Sequence, residues 1–171
     1  MASITLNAIK LYAIFMKSIK MSNEKIIADL QFLVTNLAQQ ADGHLIQSRV
    51  FAAKGLNKLA SKYAEHATEE RGYVEKFIDR ILDLGGKVKL ENKKEGEVFE
   101  IPTDFVKHDL QVSVDGLAWL KRVLDNAKDD LTTYDMLKEY YKDEEEDMYW
   151  DEQQLELIEC IGAQNWILQQ I

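Results

Sequence analysis

At 171 residues, with 46% hydrophobic and 30% charged side chains, the chain has the balance of one globular domain and is too short for two ordinary ones. Its formal net charge of -9 disfavours nucleic acid and anionic membrane as partners, because both need a basic surface, and makes cations the more natural ligands. The lone cysteine, Cys160, excludes an intramolecular disulfide and a cysteine-based zinc site, which points to a reducing, cytoplasmic setting; on its helical segment it reads as a packing residue.

Residues 1–20 differ from the rest. They carry Lys10, Lys17 and Lys20 and no acidic residue, with Ile4, Leu6, Ile9, Leu11, Ile14 and Phe15 between them. We read them as an N-terminal extension, disordered or targeting, ahead of a domain over residues 21–171. Arginine and a small-residue cleavage site are missing from the segment, and the lysines break the apolar run far short of the roughly twenty residues a membrane span needs. Met21-Ser22-Asn23-Glu24 reads as a helix start.

From Asn23 onward apolar residues recur at three- and four-residue intervals, through Ile27, Leu30, Val34, Leu37, Ala41 and Leu45 to Phe51, which predicts a first helix. Gly55 interrupts it. A second helix is predicted from about Leu56 through Tyr63, Glu70, Tyr73 and Phe77 to Leu84, closed by Gly85-Gly86. Lys87 to Pro102 has mixed charge and short β-like fragments and reads as an extended connection. Thr103 is the predicted cap of a third helix through Val106, Leu110, Leu117 and Leu124. Thr132, with Asp135 three residues later, is the predicted start of a fourth that ends at Gly162. A short fifth helix over Ala163–Ile171 would dock through Trp166 and Ile167. Tight first and last connections with one long crossover between the second and third helices predict an all-α, ferritin-like four-helix bundle.

Five segments carry a more specific signal: Arg49 to Leu56, Tyr73 to Leu82, Asp109-Leu110 with Asp115-Gly116, Asp143-Glu144-Glu145, and Gly162 to Trp166. In order and spacing they resemble bacterioferritin over roughly Leu30 to Ile171. The resemblance implies an iron-storing homo-oligomeric cage, with a di-iron ferroxidase centre inside each bundle and, in many members, haem at a two-fold interface.

Placed on this chain, the family's two bridging glutamates fall on Glu70 and Glu144. Its histidine positions hold Tyr73 and Asp147, and its terminal glutamates fall on Leu37 and Ser113. Bridging carboxylates offset the repulsion of two nearby ferrous ions, but terminal donors complete each coordination sphere, and Leu37 offers none. The resemblance therefore implies non-haem iron held by Glu70, Glu144, Asp147 and Tyr73, with ferroxidase activity weak or absent. The alternative is a non-catalytic subunit that relies on a catalytic ferritin partner. Haem is not expected, because the axial methionine position holds Arg71.

Plainer readings stand beside these. Glu144, Asp147 and Asp151 lie in an acidic run, which is commonly a solvated helix face, and Tyr73 at helical spacing from Phe77 reads equally as core. His44, His66 and His108 form no pair at four-residue spacing on one helix, which argues against a histidine-based metal site.

Overall fold

The computed structural model describes residues 2–171, which form five helices: α1 (Ala2–Ala53), α2 (Asn57–Asp83), α3 (Pro102–Ala127), α4 (Leu131–Ile161) and α5 (Ala163–Leu168). The first four make the bundle. α1 and α2 form one hairpin and α3 and α4 the other, with one long crossover joining them.

Local chemistry sets most boundaries. α1 ends in a Schellman motif, with Gly55 at φ 79° and the Leu56 amide donating to the Phe51 carbonyl at 3.0 Å. α2 closes the same way: Gly85 has φ 75°, and the Gly86 amide donates to Ile81 at 2.8 Å. Three starts differ from the sequence expectation. α1 runs straight through Met21–Glu24, since no proline or glycine precedes Gly43 to break it. At α3, Pro102 occupies the first turn and Thr103 makes no cap; Ile101 flanks the helix without a side-chain bond. At α4 the cap is Asp130, whose carboxylate accepts from the Thr133 amide at 3.1 Å, so Thr132 already lies inside the helix.

The crossover is extended, and no strand forms among the described residues. Glutamines on α1 hold it in place. Gln31 accepts from the Lys89 amide and donates to the Lys89 carbonyl, Gln39 does the same with Lys94, and Gln47 with Phe99. Each side-chain amide thus pairs with both polar groups of one crossover residue, as a neighbouring strand would.

The interior is layered along the bundle axis. One apolar cluster gathers Leu30, Leu37, Phe77, Ile81, Leu120 and Leu137 at the end where α1 enters and α2 leaves. A second gathers Phe51, Leu59, Tyr63, Phe105, Val106 and Trp166 at the opposite end, where α5 docks. The Trp166 indole donates to Gln154 Oε1 at 3.0 Å, satisfying its one polar atom. Gly162, at φ 82°, makes the turn into α5. Cys160 is exposed rather than packed, because its side of α4 faces away from both clusters.

Candidate metal centre

Between the two apolar clusters lies a polar layer to which all four bundle helices contribute. His44 of α1 is at its centre and is 5% exposed. Its Nδ1 donates to Glu70 Oε2 of α2 at 3.0 Å, and its Nε2 donates to Asp109 Oδ1 of α3 at 3.0 Å. Burial alone would strip the ring of its charge, but Glu70 and Asp109 outweigh it and hold the His44 pKa well above the usual histidine range. The imidazolium form of His44 is thus favoured, held between Glu70 and Asp109. At Glu70 burial is the stronger influence: it pushes the carboxyl up, against the attraction of His44.

His66 of α2 adjoins this clamp, its ring 5.5 Å from that of His44 at 74°. Its Nε2 approaches Asp147 Oδ1 of α4 to 2.9 Å, yet the alignment does not make a hydrogen bond. Asp147 is also paired with Lys62 at 3.1 Å. Burial opposes the charge on Asp147, but His66 and Lys62 hold its carboxyl below the usual range. Two further carboxyls complete the layer. Glu144 is pushed up to about 8, chiefly by burial and then by the charge of Glu70, with the Tyr140 hydroxyl partly opposing. Asp151 is pushed up to about 9 by burial and by Asp109 and Asp147. Both are protonated at neutral pH, which relieves the repulsion among so many buried acids.

A cleft of about 290 Å³ between α1 and α3, bordered by Leu37, Trp119, Leu120 and Tyr140, reaches Glu144 from outside. One donor atom from each of His44, His66 and Asp109 lies within 4.8 Å of the others, close enough to hold a single cation. Tyr73 borders the layer beyond Tyr140, in an aromatic stack with Tyr140 at 4.8 Å and Phe77 at 6.1 Å, and Lys76 lies over its ring. Burial pushes its hydroxyl up, with Asp143 and Glu139 adding, so the phenol stays protonated.

Comparison with known proteins places this architecture. The family model for the Ferritin-like domain matches residues 15–161. The chain belongs to the ferritin-like family. It is 33% identical over 155 residues to a bacterial ferritin of Neisseria meningitidis serogroup B, covering 87% of this chain and 98% of that one. A bacterial ferritin of Synechocystis sp. is 30% identical over 149 residues, covering 85% and 96% respectively. A bacterioferritin of Rhodobacter capsulatus is 29% identical over 116 residues, or 67% of this chain and 72% of that one.

The sequence reading places the family's donor set at Glu70, Glu144, Asp147 and Tyr73, with Leu37 and Ser113 where it expects terminal glutamates. Leu37 and Ser113, at the terminal glutamate positions, are 2% and 4% exposed, so they fill the interior where charged ligands would stand. Glu70 and Glu144 do face the shared polar layer, but Glu70 is taken by His44 and Glu144 is a neutral acid. Asp147 points toward Lys62 and His66. His44 and His66 meet across two helices, a juxtaposition that same-helix spacing does not detect. Asp109 and Asp151, unassigned by the sequence reading, belong to the same layer.

Proposed function

We propose that this ferritin-like chain is the subunit of an iron-storing, homo-oligomeric cage in the cytoplasm, and that its bundle handles iron through a partial centre. The family membership, with bacterial ferritins matched over nearly their whole length, supports the storage role. The single observation that carries the partial centre is that Glu144, at the inner end of the cleft, stands close enough to the buried Glu70 for the charge of Glu70 to push its carboxyl up. In this reading they take ferrous iron as cargo, with Asp147 as an oxygen donor freed from Lys62 and Tyr73 as a marginal fourth group. Iron entry would deprotonate Glu144 and replace the proton's charge with that of the metal.

Leu37 and Ser113 supply no strong donor, so oxidation of ferrous iron is slow or missing. The same two residues favour a second reading, a storage or structural subunit in a mixed cage whose oxidation steps occur in a catalytic ferritin partner. Haem is not expected in either case, since Arg71 stands at the axial methionine position and pairs with Asp42.

Light scattering on the purified protein, with iron content measured after ferrous loading in air, tests the proposal. A large closed assembly that retains iron well above one atom per chain is the expected outcome. A monomer or simple dimer, or a large assembly that holds no iron, overturns it.

A further inference from the structure

The polar layer holds donors that the Glu70–Glu144 centre does not use. We propose that His44, His66 and Asp109 form a binding site for one divalent transition-metal ion, with the buried Asp151 nearby. The site is shifted along the bundle from the family's di-iron position. It stands independently of the cage reading and shares none of Glu70, Glu144, Asp147 or Tyr73 as ligands.

The spacing fits an ion. His44 Nε2 and Asp109 Oδ1 are 3.0 Å apart, bridged in the metal-free protein by the Nε2 proton that a metal ion would displace, while Nδ1 keeps its bond to Glu70. Two ligands at roughly 2.0–2.2 Å from one metal, separated by an angle between square and tetrahedral, stand about 3–3.5 Å apart. His66 supplies the third donor within the same 4.8 Å envelope, and all three residues are buried. Two imidazoles and a carboxylate suit ions of borderline softness, such as zinc, cobalt or ferrous iron, over calcium or magnesium.

A second, independent observation comes from unpaired groups. Among the described residues, the buried side-chain atoms without a hydrogen-bond partner are Tyr63 Oη, His66 Nε2 and Asp151 Oδ1. All three border this site: the Tyr63 ring is 5.5 Å from both His44 and His66, and Asp151 feels Asp109, Asp147 and His44 as charged neighbours. His66 Nε2 also stands 2.9 Å from Asp147 Oδ1, so the clearer orphans are Tyr63 Oη and Asp151 Oδ1; buried polar atoms nearly always find partners, and two without them in one chamber indicate a missing ligand. Lys62 does not repel a cation here at full strength, because Asp147 neutralises it at 3.1 Å.

The register of the helices explains how such a site arises. His44 lies two turns beyond Leu37 on α1, His66 one turn before Glu70 on α2, Asp109 one turn before Ser113 on α3, and Asp151 two turns beyond Glu144 on α4. The apolar clusters show that the end of α1, the start of α2, the start of α3 and the end of α4 share one end of the bundle. Every donor is therefore displaced in the same direction, by roughly 6–10 Å of helical rise. Leu37 and Ser113 vacate the old position while His44, His66 and Asp109 furnish the new one.

The test uses the full-length protein, stripped with chelator and titrated with cobalt(II), read by visible ligand-field absorption and by anomalous diffraction at the cobalt edge. One cobalt per chain between His44, His66 and Asp109 is expected. His66→Ala and Asp109→Asn should each weaken cobalt by at least the roughly 10–100-fold that loss of an outer-shell partner costs, whereas His108→Ala, at an exposed position, retains the affinity. Cobalt lodged between Glu70 and Glu144, no bound cobalt, or undiminished affinity in His66→Ala overturns the proposal. Should the core variants fail to fold, the anomalous map of the unmodified protein decides alone. A monomeric protein would overturn the cage reading and leave this test intact.

Discussion

His44 Nδ1 lies 3.0 Å from Glu70 Oε2 while the opposite nitrogen of the ring engages Asp109, so one imidazolium ties three helices together inside the bundle. In the metal-free protein it is the counter-cation of two buried acids. His44→Ala leaves both without it, and breaking a buried pair in this way costs about 3–5 kcal/mol. Chemical denaturation of the metal-free variant should show that loss in the transition midpoint. A loss below about 1 kcal/mol, the size of an exposed pair, would show that the clamp is not held in solution.

Asp130 gives a pH signature away from the polar layer. Burial works against its charge, but the Thr133 amide and the Arg80 guanidinium, 2.7 Å away, hold the carboxyl below its ordinary value. A depressed folded-state pKa adds stability that is present above the unfolded value near 3.9 and is lost as pH falls through the folded one. Asp130→Ala should destabilise by about 1–3 kcal/mol at neutral pH, through loss of both the cap and the ion pair. The gap from the unmodified protein should narrow as pH falls below the ordinary carboxyl value and through the lowered folded one, where the native carboxyl itself protonates. Thermal melts across that range check it, and a gap independent of pH would remove the electrostatic part.

The glutamine ladder predicts a graded response. Gln47 is 2% exposed and serves both backbone groups of Phe99, so Gln47→Leu orphans a partly buried amide and carbonyl at a cost of about 1–3 kcal/mol. Gln39 pairs with Lys94 in an exposed setting, where water replaces the lost bonds, and Gln39→Leu should cost less than about 1 kcal/mol. Hydrogen exchange should speed up at Phe99 in the first variant far more than at Lys94 in the second. Equal effects would mean that the crossover is held by other contacts.

Much of this architecture was legible from residue periodicity, and the missing parts have a common cause. Helical spacing located four bundle helices, and Gly55, Gly85 and Gly162 marked their ends, because positive φ values suit glycine alone. Helix starts were less legible: Asp130 and Thr132 are both plausible caps, and only the fold selects between them. The family register drew attention to Glu70, which is buried, and to Glu144, which is half-buried. The contacts of His44 did not, because a ligand set drawn from four helices has no spacing in the chain. The signal that was present lies in offsets: His44, His66 and Asp109 each stand whole turns from a family position, on the same helix face. Reading those offsets together requires knowing which helices run parallel, and that is a property of the crossover.

In the proposed reading, finally, donor count sets the rate at which this bundle would oxidise iron. Glu70, Glu144 and Asp147, with Tyr73 held in its aromatic stack, lack the terminal ligands of a two-iron centre, so oxygen should oxidise ferrous iron slowly and without a rapid phase of two irons per subunit. Leu37→Glu, Tyr73→His, Ser113→Glu and Asp147→His together rebuild the four-glutamate, two-histidine set and should create that phase. The structure shows the cost. Leu37 is 2% exposed in the first apolar cluster, so a charge there should destabilise the metal-free variant by several kcal/mol, a loss that bound metal recovers in part by mass action. Removing Asp147 also frees Lys62 beside the new histidine, and a companion Lys62→Gln change should raise iron affinity further. Stopped-flow oxidation and melting with and without ferrous iron check both halves. A fast stoichiometric phase in the unmodified chain would show that the residues already present complete an active centre, and would make His44 and His66 the first candidates for its missing ligands.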